Sequence, residues 1–300
     1  MVDAQARMQP RADVKPVLKW AGGKRQLLEP ILAFVDRSFP ERIEKYYEPF
    51  AGGAAVFFAL SARGKFERAR LSDMNADLIR VYSALRDDAD SVIAELEKLA
   101  ALELSKETYY LVREKVRANR PGKDAARAAR LIYLNRTGYN GLYRVNSSGE
   151  FNVPYGSYKN PRILDRPRLL AAAEALQGVE LAVDDFEASC KKAKRGDFVY
   201  FDPPYVPVSK TASFAAYHSV AFTSVEHARL AATFARLTER GVKTLLSNSY
   251  TPETRELYRE FSSATVQATR AINSNATRRG SVPELLVYSE PAKTRRTRTR

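Results

Sequence analysis

Apolar positions change period along the chain, and the changes mark out its elements. Leu27, Leu28, Ile31, Leu32 and Val35 fall three and four apart, as on one face of a helix. From Ile43 through Tyr46 and Tyr47 β-forming residues take over. A small-residue turn at 51–55 and a helix then complete the βα unit that opens a nucleotide-binding sheet. Arg70-Leu-Ser-Asp73 ends a second strand, and runs at 179–183, 197–201, 242–247 and 284–288 predict further ones. Strand and helix thus alternate at both ends of the chain, which is the α/β pattern. No internal repeat is evident.

Between these ends the rhythm breaks. After Asn75 the pattern is helical through about residue 102. Ser105 starts a helix carrying Tyr109, Val112 and Val116, and Asp124 starts another carrying Ala128, Leu131 and Leu134. Asn135-Arg-Thr-Gly-Tyr-Asn-Gly-Leu-Tyr-Arg144 follows and runs on to Gly156, dense in amides, aromatics and glycine. Within it, residues 142–146 and 150–154 read as two strands joined by a Ser147-Ser-Gly149 turn. A basic hairpin can enter the DNA major groove, and Tyr139 on a glycine-flanked tip can wedge between bases; an ordinary hairpin with surface aromatics fits the same pattern. After a linker at 161–167 the α/β rhythm returns. The expected organisation is one domain from 14–100 and 168–290, an insert at 101–167, and disordered ends at 1–13 and 291–300.

Charge narrows the partner. The chain holds 49 Lys and Arg against 35 Asp and Glu, a net charge of +14, which suits a polyanion whose counterions are released on binding. The run Lys293 to Arg300 contributes five of these charges as a solubilising tail with weak phosphate affinity, and the body without it stays near +9. The apolar run of about 18 residues that a membrane span needs is missing, as is the apolar centre of a signal peptide, so neither membrane nor secretion is expected. Cys190, the single cysteine, permits no internal disulfide and reads as packing. With it, His218 and His227 are too few for a zinc site of cysteine and histidine, and both histidines read as surface or substrate-contact residues.

The chemistry centres on Phe201-Asp202-Pro203-Pro204-Tyr205, at the end of the apolar run Phe198-Val199-Tyr200. Neither proline has an N–H and both fix φ, so the carbonyls beside Asp202 are acceptors held in nearly one direction. One carboxylate and one carbonyl can take both hydrogens of an exocyclic amine, leaving its lone pair nucleophilic, while Tyr205 offers a stacking face. A turn that merely ends a strand is the simpler alternative. Asp73 lies twenty residues past Gly53, the spacing at which a carboxylate meets ribose hydroxyls. Gly22 and Gly23 before the first helix allow close backbone approach or an ordinary turn, but not a Walker loop, because Arg25 stands where Ser or Thr would hold magnesium. Trp20, the sole tryptophan, is either core or a stacking surface. Asp185 either reaches an adenine amine, with Phe186 on the ring, or caps the next helix. Residues 207–223 read as a lid and 274–279 as a basic loop near substrate.

Asp202-Pro-Pro-Tyr205 resembles the (Asp/Asn/Ser)-Pro-Pro-(Tyr/Phe) motif of amino-methyltransferases that use S-adenosylmethionine. With Leu18-Lys-Trp-Ala-Gly-Gly-Lys24, Leu134-Asn-Arg-Thr-Gly-Tyr-Asn-Gly-Leu-Tyr-Arg144 and Gly149-Glu-Phe-Asn-Val-Pro-Tyr-Gly156, it makes the chain similar, over about 14–288, to the DNA adenine-N6 methyltransferases of the Dam family. The resemblance implies a Rossmann-like methyltransferase sheet with helices on both faces and an inserted helical and hairpin DNA-recognition domain. It implies catalysis by Asp202, Pro203 and Tyr205, and S-adenosylmethionine bound by Trp20, Lys24, Phe50, Asp73, Asp185, Phe186 and Asp202. Lys19, Leu142, Arg144 and Pro154 match positions that read bases in enzymes methylating GATC, and Tyr139 and Asn140 match those that fill the helix where adenine leaves. Thr137 and Tyr143 depart from the family pattern, replacing a larger aromatic and a small residue. A monomer acting on double-stranded DNA in the cytoplasm of a bacterial or phage-infected cell, without a metal, is the expected setting. An amino-methyltransferase of RNA or protein would mostly carry Asn at position 202 and lack the hairpin. A non-catalytic DNA-binding protein would have no use for Asp-Pro-Pro-Tyr. A nicotinamide enzyme needs the Gly-x-Gly-x-x-Gly pattern that Gly52-Gly53-Ala-Ala-Val lacks.

Overall fold

A computed structural model of the chain describes residues 14–20, 24, 26–117, 124–207, 222–269 and 281–291. Helix α1 (Leu28–Ser38) buries Ile31, Leu32 and Val35, the face predicted from their spacing, together with Phe34. Strand β1 (Ile43–Glu48) leads through the glycine turn into α2 (Ala55–Ala62), and β2 (Phe66–Ser72) pairs parallel with β1. The Asn75 side chain accepts from the Asp77 and Leu78 N–H groups and so caps α3 (Ala76–Ala100), which departs from helical geometry at Asp88. The insert adds α4 (Lys106–Arg117), α5 (Asp124–Thr137) and a 3-10 turn at Tyr139–Gly141. The chain continues through α6 (Arg166–Ala175), β3 (Glu180–Ala182), α7 (Phe186–Cys190), β4 (Phe198–Phe201), α8 (Ser224–Glu239) and β5 (Lys243–Ser249). It ends with α9 (Pro252–Leu257), β6 (Phe261–Thr269) and β7 (Ser281–Pro291).

The strands form one sheet in the order β3-β2-β1-β4-β5-β7-β6. β1 to β5 are parallel; β7 runs antiparallel between β5 and β6. Strand order reverses between β1 and β4, and the crevice beyond the carboxyl ends of strands at such a point is where open α/β sheets bind ligands. The central strands of the sheet are buried on both faces. Phe198 and Tyr200 of β4 point into a core built with α1 to α6, whereas Val199 and Phe201 point into a second core with α7 and α8. This is the Rossmann-like sheet with helices on both faces that the resemblance implies. Tyr109, Val112, Leu131, Phe151 and Val153 of the insert lie in the first core, because α5 packs along α3 and α4 along α5.

Three features differ from the sequence reading. Segments 142–146 and 150–154 are not regular strands. They meet at the Val145–Phe151 bridge, with Asn152 N–H donating to Arg144 O at 2.9 Å and Asn146 N–H to Glu150 O at 2.9 Å, and the Asn146 side chain accepts from the Ser148 and Glu150 N–H groups. Side-chain bonds thus close a turn too short for a ladder. Edge strand β6 carries only small or half-exposed residues inward, so it lacks the apolar run that marks a strand. His227 is not a surface residue: it is 3% exposed on the inward face of α8 with Leu230, Ala231 and Phe234, its ring edge-on to Phe222 at 4.7 Å, and burial lowers its pKa. His218, most of the 207–223 segment, the 274–279 loop, the 293–300 tail, Gly22, Gly23 and Arg25 lie outside the described residues.

Candidate active site and nucleic-acid interface

Strand β4 ends at Phe201 and hands Asp202 to the crevice between the carboxyl ends of the strands. Asp202 Oδ1 pairs with Lys24 Nζ at 2.8 Å and accepts from Ser247 Oγ at 3.0 Å; Lys24 and Asp202 side chains are 7% and 21% exposed. Ser247, on the neighbouring β5, is itself 2.9 Å from the Tyr200 hydroxyl. Burial raises the Asp202 pKa, and Lys24 and Ser247 oppose that rise. The Lys24 ammonium also lies over the Tyr205 ring, 4.7 Å from its centroid. Tyr205 donates to Glu284 Oε2 at 3.0 Å, and Val206 N–H donates to Asn248 Oδ1 at 3.0 Å, so β7 and β5 both hold the irregular segment that follows Pro203. Pro203 is buried and Pro204 exposed. Glu48, fully enclosed at the end of β1, accepts from the Tyr46 hydroxyl at 2.8 Å and the Phe57 N–H at 3.0 Å, both on Oε2, and burial pushes its carboxyl up to about 8.

Asp73 follows β2 and bridges two turns. Its Oδ2 accepts from Gly52 N–H at 3.0 Å and its Oδ1 from Asn75 N–H at 2.9 Å. The glycine turn is a seat for Trp20: a Cβ at Gly52, where φ is +46°, would fall 2.8 Å from Trp20 Cδ1, and one at Gly53 3.2 Å from Trp20 Cβ. Trp20 is therefore half-buried packing for this turn, and its ring stacks on Tyr143 with centroids 5.6 Å apart. Of the two readings of Asp185, its side chain performs the cap, accepting from Glu187 N–H at 2.9 Å, and it also pairs with Arg229. Arg229 lies over the buried Phe186 ring, which stacks on Phe50 at 5.5 Å. Phe50, just past the carboxyl end of β1, thus meets Phe186 at the start of α7, and Lys24 pairs with Asp202.

The hairpin side is built from Asn135, at the end of α5. It accepts from Lys19 N–H at 2.8 Å and donates to Lys19 O at 2.8 Å and Gly141 O at 2.9 Å, which clamps the N-terminal segment to the tip. Gly141, with φ +63°, lets Lys19 pass: a Cβ there would fall 2.5 Å from Lys19 Cδ. Lys19 Nζ lies over the Tyr158 ring at 4.9 Å, and burial and Arg136 lower its pKa. Tyr139 is 52% exposed, and the exposed Asn140 beside it takes the left-handed φ of +54°. Arg144 and Pro154 are also exposed, whereas Leu142 is half-buried. The Arg144 guanidinium donates through Nε to Asn152 Oδ1 at 2.7 Å and through one terminal nitrogen to Asn152 O at 3.1 Å. Thr137 is buried with its hydroxyl on Tyr133 O. Sequence reasoning missed Ser247, Asn248, Glu284, Glu48 and Asn135 as parts of this site. The polar triplet Ser247-Asn248-Ser249 at the end of a buried strand is the signal that marks the first two.

Comparison with known proteins agrees with this geometry. The profile of the D12 class N6 adenine-specific DNA methyltransferases matches residues 20–272. The chain is 43% identical over 287 residues to the type II methyltransferase M.MjaIII of Methanocaldococcus jannaschii, covering 92% of this chain and 99% of that protein. It is 40% identical over 281 residues to the type II methyltransferase M1.LlaDCHI of Lactococcus lactis subsp. cremoris, covering 92% and 96%. It is 39% identical over 275 residues to the DNA adenine methylase of Escherichia coli K12, covering 91% and 95%.

Proposed function

The chain belongs to the D12 class of N6 adenine-specific DNA methyltransferases, and on that premise we propose that it methylates the adenine of duplex GATC, with S-adenosylmethionine as donor. The observation that carries the catalytic assignment is the convergence of a cation and an aromatic face on Asp202, the Lys24 ammonium 2.8 Å from its Oδ1 and 4.7 Å from the Tyr205 centroid. A planar base with an amino group makes the same two contacts. Because Lys24 and Ser247 both occupy Oδ1, the other oxygen, Oδ2, takes one N6 hydrogen and the Pro203 carbonyl takes the second. Tyr205, tied to Glu284, stacks on the ring. The N6 lone pair is thereby freed, and Asp202 is the first acceptor for the proton that N6 sheds.

S-adenosylmethionine, when bound, supplies a methyl group on a positively charged sulfur. The donor set of the crevice fits it: Asp73 offers a carboxylate to ribose hydroxyls, and Phe50 and Phe186 offer flat rings to its adenine beside Asp185. Trp20 backs the glycine turn, and Lys24 bears on the cofactor side through Asp202.

Target selection falls to the insert, residues 101–167. Tyr139 and Asn140, held out on a left-handed turn, fill the gap left by the flipped adenine. Arg144, held on one edge by Asn152, makes bidentate contact with guanine, and exposed Pro154 meets a thymine methyl, with Lys19 and Leu142 completing the readers. One chain supplies every residue named, so a monomer suffices. Among the described residues no helix is long and apolar enough to cross a membrane; the enzyme works on DNA in the cytoplasm.

Transfer of labelled methyl to unmethylated duplexes with GATC or a scrambled site tests the assignment. Label on the GATC adenine alone is expected, and Asp202→Ala is expected to abolish it while the duplex still binds. Label on other adenines would discard the target sequence, and near-normal turnover by Asp202→Ala would overturn the catalytic assignment.

A further inference from the structure

Tyr143 lies between two proposed base readers, Leu142 and Arg144, yet its contacts run the other way, toward the cofactor crevice. Its ring stacks on Trp20 at 5.6 Å with 24° between planes, and meets Phe151 of the opposite hairpin arm edge-on at 5.6 Å. Its hydroxyl donates to Asp77 Oδ2 at 3.2 Å in the first turn of α3. Asp77 Oδ1 is in turn held by Arg127 of α5 at 2.9 Å and Arg80 at 2.7 Å.

Two routes lead from this side chain to one carboxylate. Through its ring, Tyr143 presses on Trp20, which fills the glycine turn, and the Gly52 N–H of that turn bonds Asp73 Oδ2 at 3.0 Å. Through its hydroxyl, Tyr143 reaches Asp77, whose N–H bonds the Asn75 cap at 3.1 Å, and Asn75 N–H bonds Asp73 Oδ1 at 2.9 Å. Both oxygens of the proposed ribose ligand are therefore positioned by turns that one hairpin residue reaches through Trp20 and Asp77.

We infer that Tyr143 is a positioning residue that couples reading of the target DNA to binding of the cofactor, by holding Trp20 and the α3 N-terminus against Asp73. The inference rests on the reading of the hairpin as a DNA contact. A hairpin that settles on its sequence moves or stiffens Tyr143, and Asp73 receives the change through both routes. Such coupling is reciprocal: DNA strengthens cofactor binding by the same factor by which cofactor strengthens DNA binding.

The sole tryptophan is a link in this chain, so its emission reports on it directly. The experiment titrates the non-reactive product S-adenosylhomocysteine, with and without a GATC duplex, into the wild type, Tyr143→Phe and Tyr143→Leu, following Trp20 fluorescence and calorimetric affinity. The duplex is expected to tighten product binding to the wild type by about 5-fold or more, within the usual range for coupled sites, and to change Trp20 emission before any product is added. Tyr143→Leu is expected to bind each ligand alone with the coupling factor reduced to about 1. Tyr143→Phe, which keeps the stack and loses the Asp77 bond, falls between the two. A coupling factor unchanged in Tyr143→Leu overturns the inference and leaves the function standing. Loss of both affinities with coupling intact in Tyr143→Phe assigns the residue a structural role only and also overturns it. A wild type that binds neither ligand overturns the proposed function as well.

Discussion

Replacing Lys24 with methionine keeps a side chain of similar length and deletes its charge. The ammonium is 2.8 Å from Asp202 Oδ1, and both groups are largely enclosed. At that distance and an effective dielectric constant of about 20 the gross attraction is about 6 kcal/mol. Desolvation of the two ions offsets part of it, and removing one partner of such a pair costs about 3–5 kcal/mol. Asp202 escapes that cost by keeping its proton. Burial already raises its pKa and the Lys24 charge is the strongest influence opposing that rise, so deletion of the cation moves the carboxyl further up. The ionised carboxylate is the stronger acceptor for the amine hydrogens and the only form that can take up the proton N6 sheds, so activity grows as pH rises through that pKa, and the acid limb of kcat/KM must move to higher pH. At pH 7 a loss of about 100-fold or more is expected, since about 3 kcal/mol exceeds two decades, and it should shrink steadily as pH increases. The assay is kcat/KM for methyl transfer to duplex across the accessible pH range, paired with product affinity. Parallel wild-type and variant profiles, with the same deficit at every pH, would refute an action through the charge of Asp202. A deficit confined to the KM for S-adenosylmethionine would assign Lys24 to the cofactor alone.

Glu48 gives a stability prediction. Its carboxyl rises from 4.5 to about 8 in the folded protein, so the native state retains a proton that the unfolded chain loses inside that window. Folding stability should therefore fall with rising pH by about 1.4 kcal/mol per pH unit across the window, and Glu48→Gln should flatten the slope in urea unfolding; equal slopes would mean Glu48 is ionised in the native state. Asn135→Ala leaves the part-buried Lys19 backbone groups and the buried Gly141 carbonyl without their partner and is expected to destabilise by about 1–3 kcal/mol in the same assay, a loss below about 0.5 kcal/mol showing that the clamp is dispensable. Arg144→Ala should lower discrimination at one base pair by about 1–3 kcal/mol in competition between matched and mismatched duplexes, and an unaltered ratio would remove Arg144 from the readout.

What could be read in advance followed from local chemistry. Strands β1, β2, β4 and β5 announce themselves through β-formers that end in small or acidic residues, and Asn75, Ser105 and Asp124 mark the starts of α3, α4 and α5. Asp202 and Asp73 directly follow β4 and β2, as the runs of β-formers before them suggest, whereas Phe186 opens α7 four residues beyond β3. Strand β6 was illegible because an edge strand with small inward residues has no apolar run, and His227 was misplaced because its helix turns that polar ring toward Phe222. The partners of Asp202 could not be read at all. Lys24, Asp202 and Ser247 are far apart in sequence, and only the pairing of β4 with β5 and the placement of Lys24 beside them bring them to one oxygen.

The insert shares its apolar interior with α1, α2 and α3, since Tyr109, Leu131 and Phe151 are buried in the same cluster as Ile31, Val56 and Leu85. It is thus no exchangeable cassette: a chimera that transplants residues 101–167 would carry away one half of a packed interface and leave the other exposed. The portable piece is the hairpin tip, whose turn is closed by Asn146 and whose rungs run from Arg144 to Asn152, on a socket formed by Asn135 and Gly138. On the proposed reading of the tip as the target reader, new preferences in this architecture are reached by rewriting it one side chain at a time, with the scaffold beneath it unchanged.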